Sequence, residues 1–341
     1  MTFGKRMKIS LLASALAVFV GGLLVLLLSE SIRSIILTAL ILSVAIFAVT
    51  LLLAFILEGK PKKIRIPIFA LLMFISLMIV FCFTMYTVGK RITFPGSIDE
   101  DAYEELCDAK GPAENITYGT LAGWRIPAAN VDSEAKRPVI LYFGGNGENS
   151  SRKVLNILED DKLNFLYLNY DFVFIDYPTY GQSGGVLTET SIEEYAVQAY
   201  EYVRSLNTTA SVTLLSYSIG NGPAMYLASQ EGVEISQMVM LAPYTSGYDL
   251  YNMNFNMFHG PFRLLVAYRF PSDRYAADVN CPVTMIASTD DEVIPIDSSR
   301  ALFASLSSST ANFISLEGIE HNDFFFNPDS IRAMMNALEE A

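Results

Sequence analysis

Histidine and cysteine are scarce in this chain of 341 residues, which contains two histidines and three cysteines. No CxxC pattern and no Cys/His cluster occurs, so the sequence offers no metal-binding motif. Cys82 lies in an apolar stretch, whereas Cys107 and Cys281 are far apart in the remainder of the chain. We interpret these two either as isolated buried thiols or, in an extracytoplasmic domain, as a disulfide pair.

Charge is missing from three long apolar stretches near the N-terminus, Ile9–Ser29, Ser34–Leu57 and Ile66–Gly89. Each is about as long as the roughly 20 residues that a helix needs to cross a bilayer. No small-residue cleavage site is obvious and two further stretches follow, so we interpret the first as a retained helix and not a signal peptide. The sequence therefore predicts a membrane domain over residues 1–91 with three transmembrane helices, and makes the lipid bilayer an expected partner.

The basic residues in the short loops predict the orientation of these helices. Seven precede the first stretch or separate the second from the third, and three lie on the other side. The seven are Lys5, Arg6, Lys8, Lys60, Lys62, Lys63 and Arg65. This bias favours a cytoplasmic N-terminus. Three crossings then predict that everything after Gly89 lies outside the cytoplasm, although Lys90 and Arg91 argue mildly against this.

Basic residues are few in the remainder of the chain, which contains 13 of them against 34 acidic residues, a net charge of −21. Such a charge argues against nucleic acid and anionic lipid surfaces as partners, and is typical of a solvated acidic surface. Residues 92–115 are acidic and contain glycine and proline, which predicts a connector. Residues 116–341 are then enough for one globular domain.

Short apolar runs alternate with helical patterns in this domain, after a predicted hairpin formed by Ile116–Thr120 and Leu121–Pro127. The later runs are Pro138–Phe143, Phe172–Tyr177, Val212–Leu215, Gln237–Ala242, Val283–Ala287 and Ala311–Leu316. Apolar strands interleaved with helices predict an α/β fold, with a mostly parallel sheet covered by helices on both faces. A ligand would bind beyond the carboxyl ends of the strands.

Ser218 stands between the predicted strand Val212–Leu215 and a helical pattern over Gly222–Gln230. Small residues flank it two positions before and after, which is the layout of a nucleophile elbow, a sharp strand-to-helix turn that presents a serine. Ser216 occupies the position where that motif usually has glycine. The S-x-S-x-G string is a frequent chance match, so the prediction depends on the partners of the serine.

A nucleophilic serine needs a base and an acid that orients the base. His321 follows the last predicted strand, which suits a base that reaches back over the sheet edge, whereas His259 suits a lid or surface role. The acid should follow the strand that ends at Ala287, where Asp290 and Asp291 compete. The resulting order of serine, acid and histidine is the order that this architecture uses.

The oxyanion of an acyl-transfer reaction needs hydrogen-bond donors, which are usually backbone amides. The amide of Ile219 directly follows the serine at a helix N-terminus. The glycine-rich loop after the first parallel strand offers a second donor, the amide near Asn146. A glycine-rich loop is also typical of a phosphate cradle, but this one lacks the spacing and the lysine of a phosphate-binding loop.

Four stretches of the chain resemble, in order, motifs of the α/β-hydrolase superfamily of serine hydrolases. Tyr142–Asn149 (YFGGNGEN) is similar to YFHGNAGN, and Asp176–Gly185 (DYPTYGQSGG) is similar to DYRGYGxSxG. Ser216–Ala224 (SYSIGNGPA) is similar to GRSLGSGPA, and Ser288–Pro295 and Gly318–Asp323 resemble the acid and histidine loops. The resemblance spans about 180 residues and leaves out the membrane part. It is greatest to a membrane-anchored group with an HGN-type oxyanion loop, serine aminopeptidase-like or acyl esterase-like.

This resemblance implies that Ser218 is the nucleophile, His321 the base and Asp291 the acid. It also implies that the amides of Asn146 and Ile219 form the oxyanion hole.

Three departures from the family pattern stand out. Gly144 replaces a histidine that is not catalytic, and Ser216 replaces the glycine of the elbow. Pro178 and Thr179 replace Arg-Gly after the second parallel strand, which would reshape the wall of the pocket.

The sequence thus predicts a membrane-anchored serine hydrolase, carboxylesterase- or thioesterase-like, that cleaves an acyl or lipid-like substrate without a metal or organic cofactor. Residues 244–278 form an insertion rich in bulky apolar side chains, interpreted either as a lid over an acyl pocket or as an ordinary core helix with loops. Two other hypotheses stay open: a serine peptidase or aminopeptidase, and a non-catalytic hydrolase-like scaffold that binds a membrane partner.

Overall fold

The computed structural model describes most of the chain after residue 60 and a few residues before it. The described residues are 37–39, 41–46, 49–50, 61–109, 111–254, 256–307 and 310–339. They form two compact units. One unit contains the described residues up to Ile92 together with Pro261–Ala267, and the other contains Thr93–Gly260 and the residues from Tyr268 onward.

The first unit is built on helix α1, Lys62–Thr93. Its segment Ile66–Thr93 has 28 residues and is, by length and composition, able to cross a membrane. Such a segment extends about 42 Å as a helix, against a hydrocarbon core of about 30 Å. Of the helices in the described residues, this one alone meets both criteria. It coincides with the predicted span 66–89.

The predicted span 9–29 lies outside the described residues, and the predicted span 34–57 is described only in part. In that part the chain is helical, and Leu42 and Ile46 form a small buried cluster with Val80 of α1. Three transmembrane helices therefore remain a prediction.

A short piece of the predicted insertion 244–278 belongs to the same unit as α1. Pro261–Ala267 groups with the helix, and the ring of Phe262 meets the ring of Phe81 edge to face, with centroids 6.5 Å apart. Aromatic pairs at this distance prefer such an arrangement. The insertion therefore contributes a contact to the helix that the sequence marks as a membrane span.

In the described residues of the second unit, eight strands form one sheet. They are β1 Glu114–Tyr118, β2 Leu121–Ile126, β3 Arg137–Phe143, β4 Asp171–Ile175, β5 Thr209–Tyr217, β6 Gln237–Leu241, β7 Val283–Ser288 and β8 Ala311–Leu316. Their order is β1-β2-β4-β3-β5-β6-β7-β8. β2 pairs antiparallel with β1 and β4, and every other pair is parallel. The predicted hairpin and the mostly parallel sheet are confirmed.

Helices flank this sheet and connect its parallel strands. They are α2 Glu100–Asp108, α3 Ser150–Glu159, α4 Phe165–Leu168, α5 Glu189–Ser205, α6 Asn221–Ala228, α7 Gly247–Asn254, α8 Ser272–Tyr275, α9 Ile296–Ala304 and α10 Pro328–Glu339. Every residue of β4 and β6 is buried, which explains why these strands read as continuous apolar runs and not as alternating ones. The parallel strands thus bring the loops at their carboxyl ends to one edge of the sheet.

The segment expected to be a connector is integrated into the second unit. Phe94 is buried, and its ring packs against those of Tyr177, Tyr180, Tyr268 and Phe270, with centroids 4.8–6.4 Å apart. Burying an aromatic ring of this size stabilises a fold by roughly 2–3 kcal/mol. The acidic composition of residues 92–115 does not predict this aromatic contact of Phe94.

Candidate active site

The turn at Ser218 has the backbone of a nucleophile elbow. β5 ends at Tyr217, Ser218 has φ 52°, and a single 3-10 turn leads into α6. A non-glycine residue with positive φ is strained and persists only where its surroundings hold it. A Cβ atom on Gly220 would overlap the carbonyl oxygen of Phe143, so this position accepts only glycine.

The structure brings the three residues predicted for catalysis into one chain of hydrogen bonds. Ser218 Oγ lies 2.8 Å from His321 Nε2, and His321 Nδ1 lies 2.8 Å from Asp291 Oδ2. The amides of Val293 and Ile294 donate to Asp291 Oδ1 and fix the carboxylate. A carboxylate at Nδ1 keeps the proton on that nitrogen, which leaves Nε2 free to accept from the serine hydroxyl.

Asp290, the competing aspartate, makes different contacts. Its carboxylate accepts from the amide of Gly318 and from the hydroxyl of Thr289, both at 2.7 Å. These two bonds hold the pKa of Asp290 below its ordinary value. Asp290 thus ties down the loop that leads to the histidine, while Asp291 contacts the imidazole itself. The second histidine, His259, is exposed and bonds to Asn256.

Two side chains that the sequence analysis did not single out hold the histidine loop. The hydroxyl of Tyr217 donates to the carbonyl oxygen of His321 at 2.6 Å, and the two rings stack with centroids 5.4 Å apart. The amide of His321 donates to Glu292, which holds the pKa of that carboxyl below its ordinary value. Tyr217 and Glu292 directly adjoin Ser218 and Asp291, and this adjacency is the only sequence signal for them.

The glycine-rich loop between β3 and α3 is fixed by the carboxylate of Glu148. This carboxylate accepts from the amide of Gly145 at 2.7 Å, from the hydroxyl of Tyr142 at 2.6 Å and from Lys153 Nζ at 2.9 Å. The amide of Gly145 is thereby used within the loop. Asn146 follows it on the exposed turn of the loop.

Glu148 and Lys153 form an ion pair that is largely shielded from water. Burial raises the pKa of Glu148, but the Lys153 ammonium and the bonds from Tyr142 and Gly145 outweigh burial and hold this pKa below its ordinary value. Burial lowers the pKa of Lys153, and the Glu148 carboxylate offsets only part of that shift. Lys153 Nζ also lies 3.2 Å from the ring centroid of Phe325, a cation–π contact.

The loop and the elbow touch, which brings the two predicted oxyanion donors into neighbouring segments. A Cβ atom on Gly220 would lie 2.6 Å from the carbonyl oxygen of Gly144, and one on Gly145 would lie 2.7 Å from the ring of Tyr217. Ile219 is buried directly after the serine. Backbone can approach this closely only where side chains are missing.

The segment after α1 supports the same loop. The hydroxyl of Tyr177, which packs on Phe94, donates to the carbonyl oxygen of Gly144 at 2.9 Å. Nδ2 of Asn149 donates to Ser97 Oγ at 2.9 Å. The start of the second unit therefore runs along the loop, a role that its composition did not suggest.

Pro178 and Thr179, which replace Arg-Gly of the family pattern after β4, directly follow Tyr177 in the chain. Thr179 has φ 72° and is exposed next to the buried Tyr180.

All three cysteines are free thiols, so Cys107 and Cys281 are not paired. Cys281 is buried, as expected for an isolated thiol, whereas the expectation of burial is wrong for Cys107, which is exposed. Among the described residues, no group of three or more His, Cys, Asp or Glu side chains has the arrangement of a metal site.

No protein-family model matches the chain. An uncharacterized protein of Mycobacterium tuberculosis is 26% identical over 223 residues, which cover 64% of this chain and 73% of that one. Lysophosphatidylserine lipase ABHD12 of Danio rerio is 23% identical over 194 residues. That match covers 50% of this chain and 47% of the relative, so the chain spans about half the length of that relative.

Solved structures share the fold. An esterase of Pyrococcus furiosus has a TM-score of 0.54 at 14% sequence identity, covering 73% of this chain and 97% of that one. The esterase Est1E from Butyrivibrio proteoclasticus has a TM-score of 0.52 at 13% identity, covering 67% and 97%. These likenesses agree with the sheet order and the elbow described above. The chain has the α/β-hydrolase fold.

Proposed function

We propose that this protein is a serine hydrolase that forms an acyl-enzyme intermediate. His321 removes the proton from Ser218 as the serine oxygen attacks a carbonyl carbon, and Asp291 holds the imidazole and stabilises the imidazolium that forms. The protonated histidine then gives its proton to the leaving group. In a second round the histidine activates a water molecule, which releases the acyl group from the serine.

The observation that carries this proposal is the unbroken chain of hydrogen bonds from Ser218 Oγ through His321 to Asp291, with both bonds at 2.8 Å. The tetrahedral oxyanion would accept from the amides of Ile219 and Asn146. One such donor contributes about 3–4 kcal/mol to transition-state stabilisation. A hydrolase-like scaffold without activity would have no need for these three side chains in this arrangement.

We propose an ester of an acyl or lipid-like group as the substrate, with a thioester as a chemically equivalent case. A relative whose name states lysophosphatidylserine lipase activity and two esterases of the same fold support this class. The apolar insertion 244–278 supports it as well, because part of that insertion packs on the candidate membrane helix. Bulky apolar side chains suit an acyl chain better than the charged terminus of a peptide.

We also propose that the chain is anchored in the membrane, with its N-terminus in the cytoplasm and the hydrolase unit outside. The support is the segment Ile66–Thr93 together with the bias of seven basic residues against three in the short loops. A cytoplasm-active reporter fused after Ala341 should remain silent. Strong reporter activity would contradict the proposed orientation.

A fluorophosphonate probe tests the serine chemistry. The purified full-length chain should be labelled, and Ser218→Ala should abolish the labelling. Ser299→Ala is the matched control, because this buried serine donates to the carbonyl of Pro243 and should leave labelling intact. An unlabelled wild-type chain would overturn the proposal, as would equal labelling of Ser218→Ala.

Substrate class is tested by turnover of p-nitrophenyl esters of increasing chain length against aminoacyl-anilides. We expect ester cleavage that improves with an acyl chain of medium length. A preference for anilides would overturn the esterase proposal in favour of the peptidase.

A further inference from the structure

Two departures from the family's elbow motif contact each other in this protein. The motif GRSLGSGPA has glycine where this chain has Ser216 and serine where it has Asn221. The Ser216 hydroxyl donates to Asn221 Oδ1 at 2.7 Å, and both side chains are fully buried. A buried polar pair of this kind is stable because each group satisfies the other.

The amide nitrogen of Asn221 faces backbone carbonyls at the end of the sheet. Nδ2 donates to the carbonyl oxygens of Ser218 at 2.8 Å and Leu241 at 2.9 Å, with that of Ala242 at 3.3 Å. Carbonyl oxygens only accept hydrogen bonds, so the amide nitrogen of Asn221 must be the atom that faces them. The amide oxygen then faces the hydroxyl of Ser216. One side chain thus links the nucleophile to the end of the neighbouring strand β6.

The bond to the Ser218 carbonyl bears on catalysis through the planarity of the peptide. The carbonyl of Ser218 and the N–H of Ile219 belong to one trans peptide unit, so they point in opposite directions within a single plane. A donor that holds the carbonyl therefore aims the N–H. The backbone N–H of Asn221 also donates to this carbonyl in the 3-10 turn, so the side-chain amide is a second restraint on a peptide unit that follows a residue with the strained φ of 52°.

We propose that Asn221 is a positioning residue that aims the Ile219 amide at the oxyanion, and that Ser216 acts by orienting Asn221. The proposal rests on the proposed function, because it assigns a supporting role within the same site. Neither side chain touches the substrate. Their effect is confined to the peptide that links the nucleophile to its oxyanion donor.

The test is steady-state turnover of one p-nitrophenyl ester by the full-length chain in detergent. Asn221→Ala should lower kcat about 10- to 100-fold, somewhat less than removal of an oxyanion donor outright, with KM within about twofold. Ser216→Ala should lower kcat by about 3- to 10-fold, because Asn221 keeps its carbonyl bonds but loses its orienting partner. The double variant should match Asn221→Ala, since Ser216 acts only through Asn221.

Thr209→Val is the matched control for a lost buried hydrogen bond. Thr209 lies at the far end of β5, and its hydroxyl donates to the carbonyl of Val203 at 2.6 Å. This variant should lose thermal stability but keep kcat. Thermal melts followed by the fluorescence of Trp124, the single tryptophan, identify any variant that fails to fold. If Asn221→Ala fails to fold, the kcat of Ser216→Ala, the milder change, tests the proposal.

Three results would overturn the proposal. These are a kcat of Asn221→Ala no lower than that of Thr209→Val, a rise in KM at constant kcat, and additive effects of the two single variants. Failure of the proposed function is distinguishable, because the wild-type chain would then not react with a fluorophosphonate. A labelled wild-type chain whose kcat is indifferent to Asn221 would overturn this inference alone.

Discussion

The two segments proposed to donate to the oxyanion are held by different chemistry. The elbow is held by neutral groups, the amide of Asn221 and the hydroxyls of Ser216 and Tyr244, all bonded within the turn or to it. The oxyanion loop is held by ionised groups as well as by the neutral hydroxyl of Tyr177. The Glu148 carboxylate accepts from the loop amide and from Lys153. The elbow should therefore be insensitive to pH, whereas the loop should respond to it.

A second buried carboxylate supports the far end of the loop. Asp176 accepts from the amide and the hydroxyl of Ser150, both at 2.6 Å, where α3 begins. Burial outweighs these two bonds and raises the pKa of Asp176 to about 6. The pKa of Glu148 is instead held below its ordinary value. The loop thus lies between two carboxylates whose pKa values are shifted in opposite directions.

The largest expected effect is that of Glu148→Gln. Glutamine keeps the shape but leaves the Lys153 ammonium buried without its partner, which should lower the free energy of unfolding by about 3 kcal/mol. It should also lower kcat, because the bond to the Gly145 amide weakens. Urea unfolding followed by Trp124 fluorescence measures the first effect; Trp124 Nε1 donates to Ser151 in α3, close to the loop.

The double variant Glu148→Gln with Lys153→Met is the control. Removing both charges should recover more than half of the lost stability, since no uncompensated charge then remains. If the double variant were no more stable than Glu148→Gln, the loop would depend on the shape of Glu148 and not on its charge. The contrast with the neutral elbow would then fail.

Sequence reasoning succeeded where a residue's position in the fold follows from its place along the chain. The alternation of apolar runs and helical patterns predicted the sheet. Ser218, Asp291 and His321 follow the parallel strands β5, β7 and β8, which placed them at one edge. Asn221 and Phe94 were missed, because their roles depend on which atoms meet after folding. Asn221 lies in a motif that explains it as a helix residue, and Phe94 lies in a segment whose charge hides its ring.

The next effect concerns the pH dependence of stability, tested with Asp176→Asn. The native pKa of Asp176 is about 6 against an ordinary 3.8, so its proton stabilises the fold at low pH. This stability is lost as pH rises from about 4 through 6, and amounts to about 3 kcal/mol for a shift of this size. Asp176→Asn should therefore gain stability over the wild-type chain between pH 4 and 7.

Glu148→Gln should show the opposite sign in the same titration. The pKa of Glu148 is held below its ordinary value, so its contribution is present at neutral pH and is lost as pH falls through the native pKa. The stability advantage of the wild type over Glu148→Gln should thus grow as pH rises. The stability of the wild type relative to Asp176→Asn should instead fall as pH rises. Parallel pH profiles for the two variants would contradict the assignment of opposite shifts.

The smallest expected effect is that of Phe94→Leu, which tests whether the segment after α1 supports the loop. Leucine should lower the free energy of unfolding by only about 1 kcal/mol, because most of the apolar contact is kept. It should nevertheless lower kcat two- to fivefold, an effect of about 0.4–1 kcal/mol, since Tyr177 loses the ring that holds its hydroxyl on the carbonyl of Gly144. Phe303→Leu, in an aromatic pair with Phe313, is the control and should cost similar stability without changing kcat. If both variants left kcat unchanged, the ring of Phe94 would have no part in positioning the oxyanion loop, and the segment after α1 would not support the site.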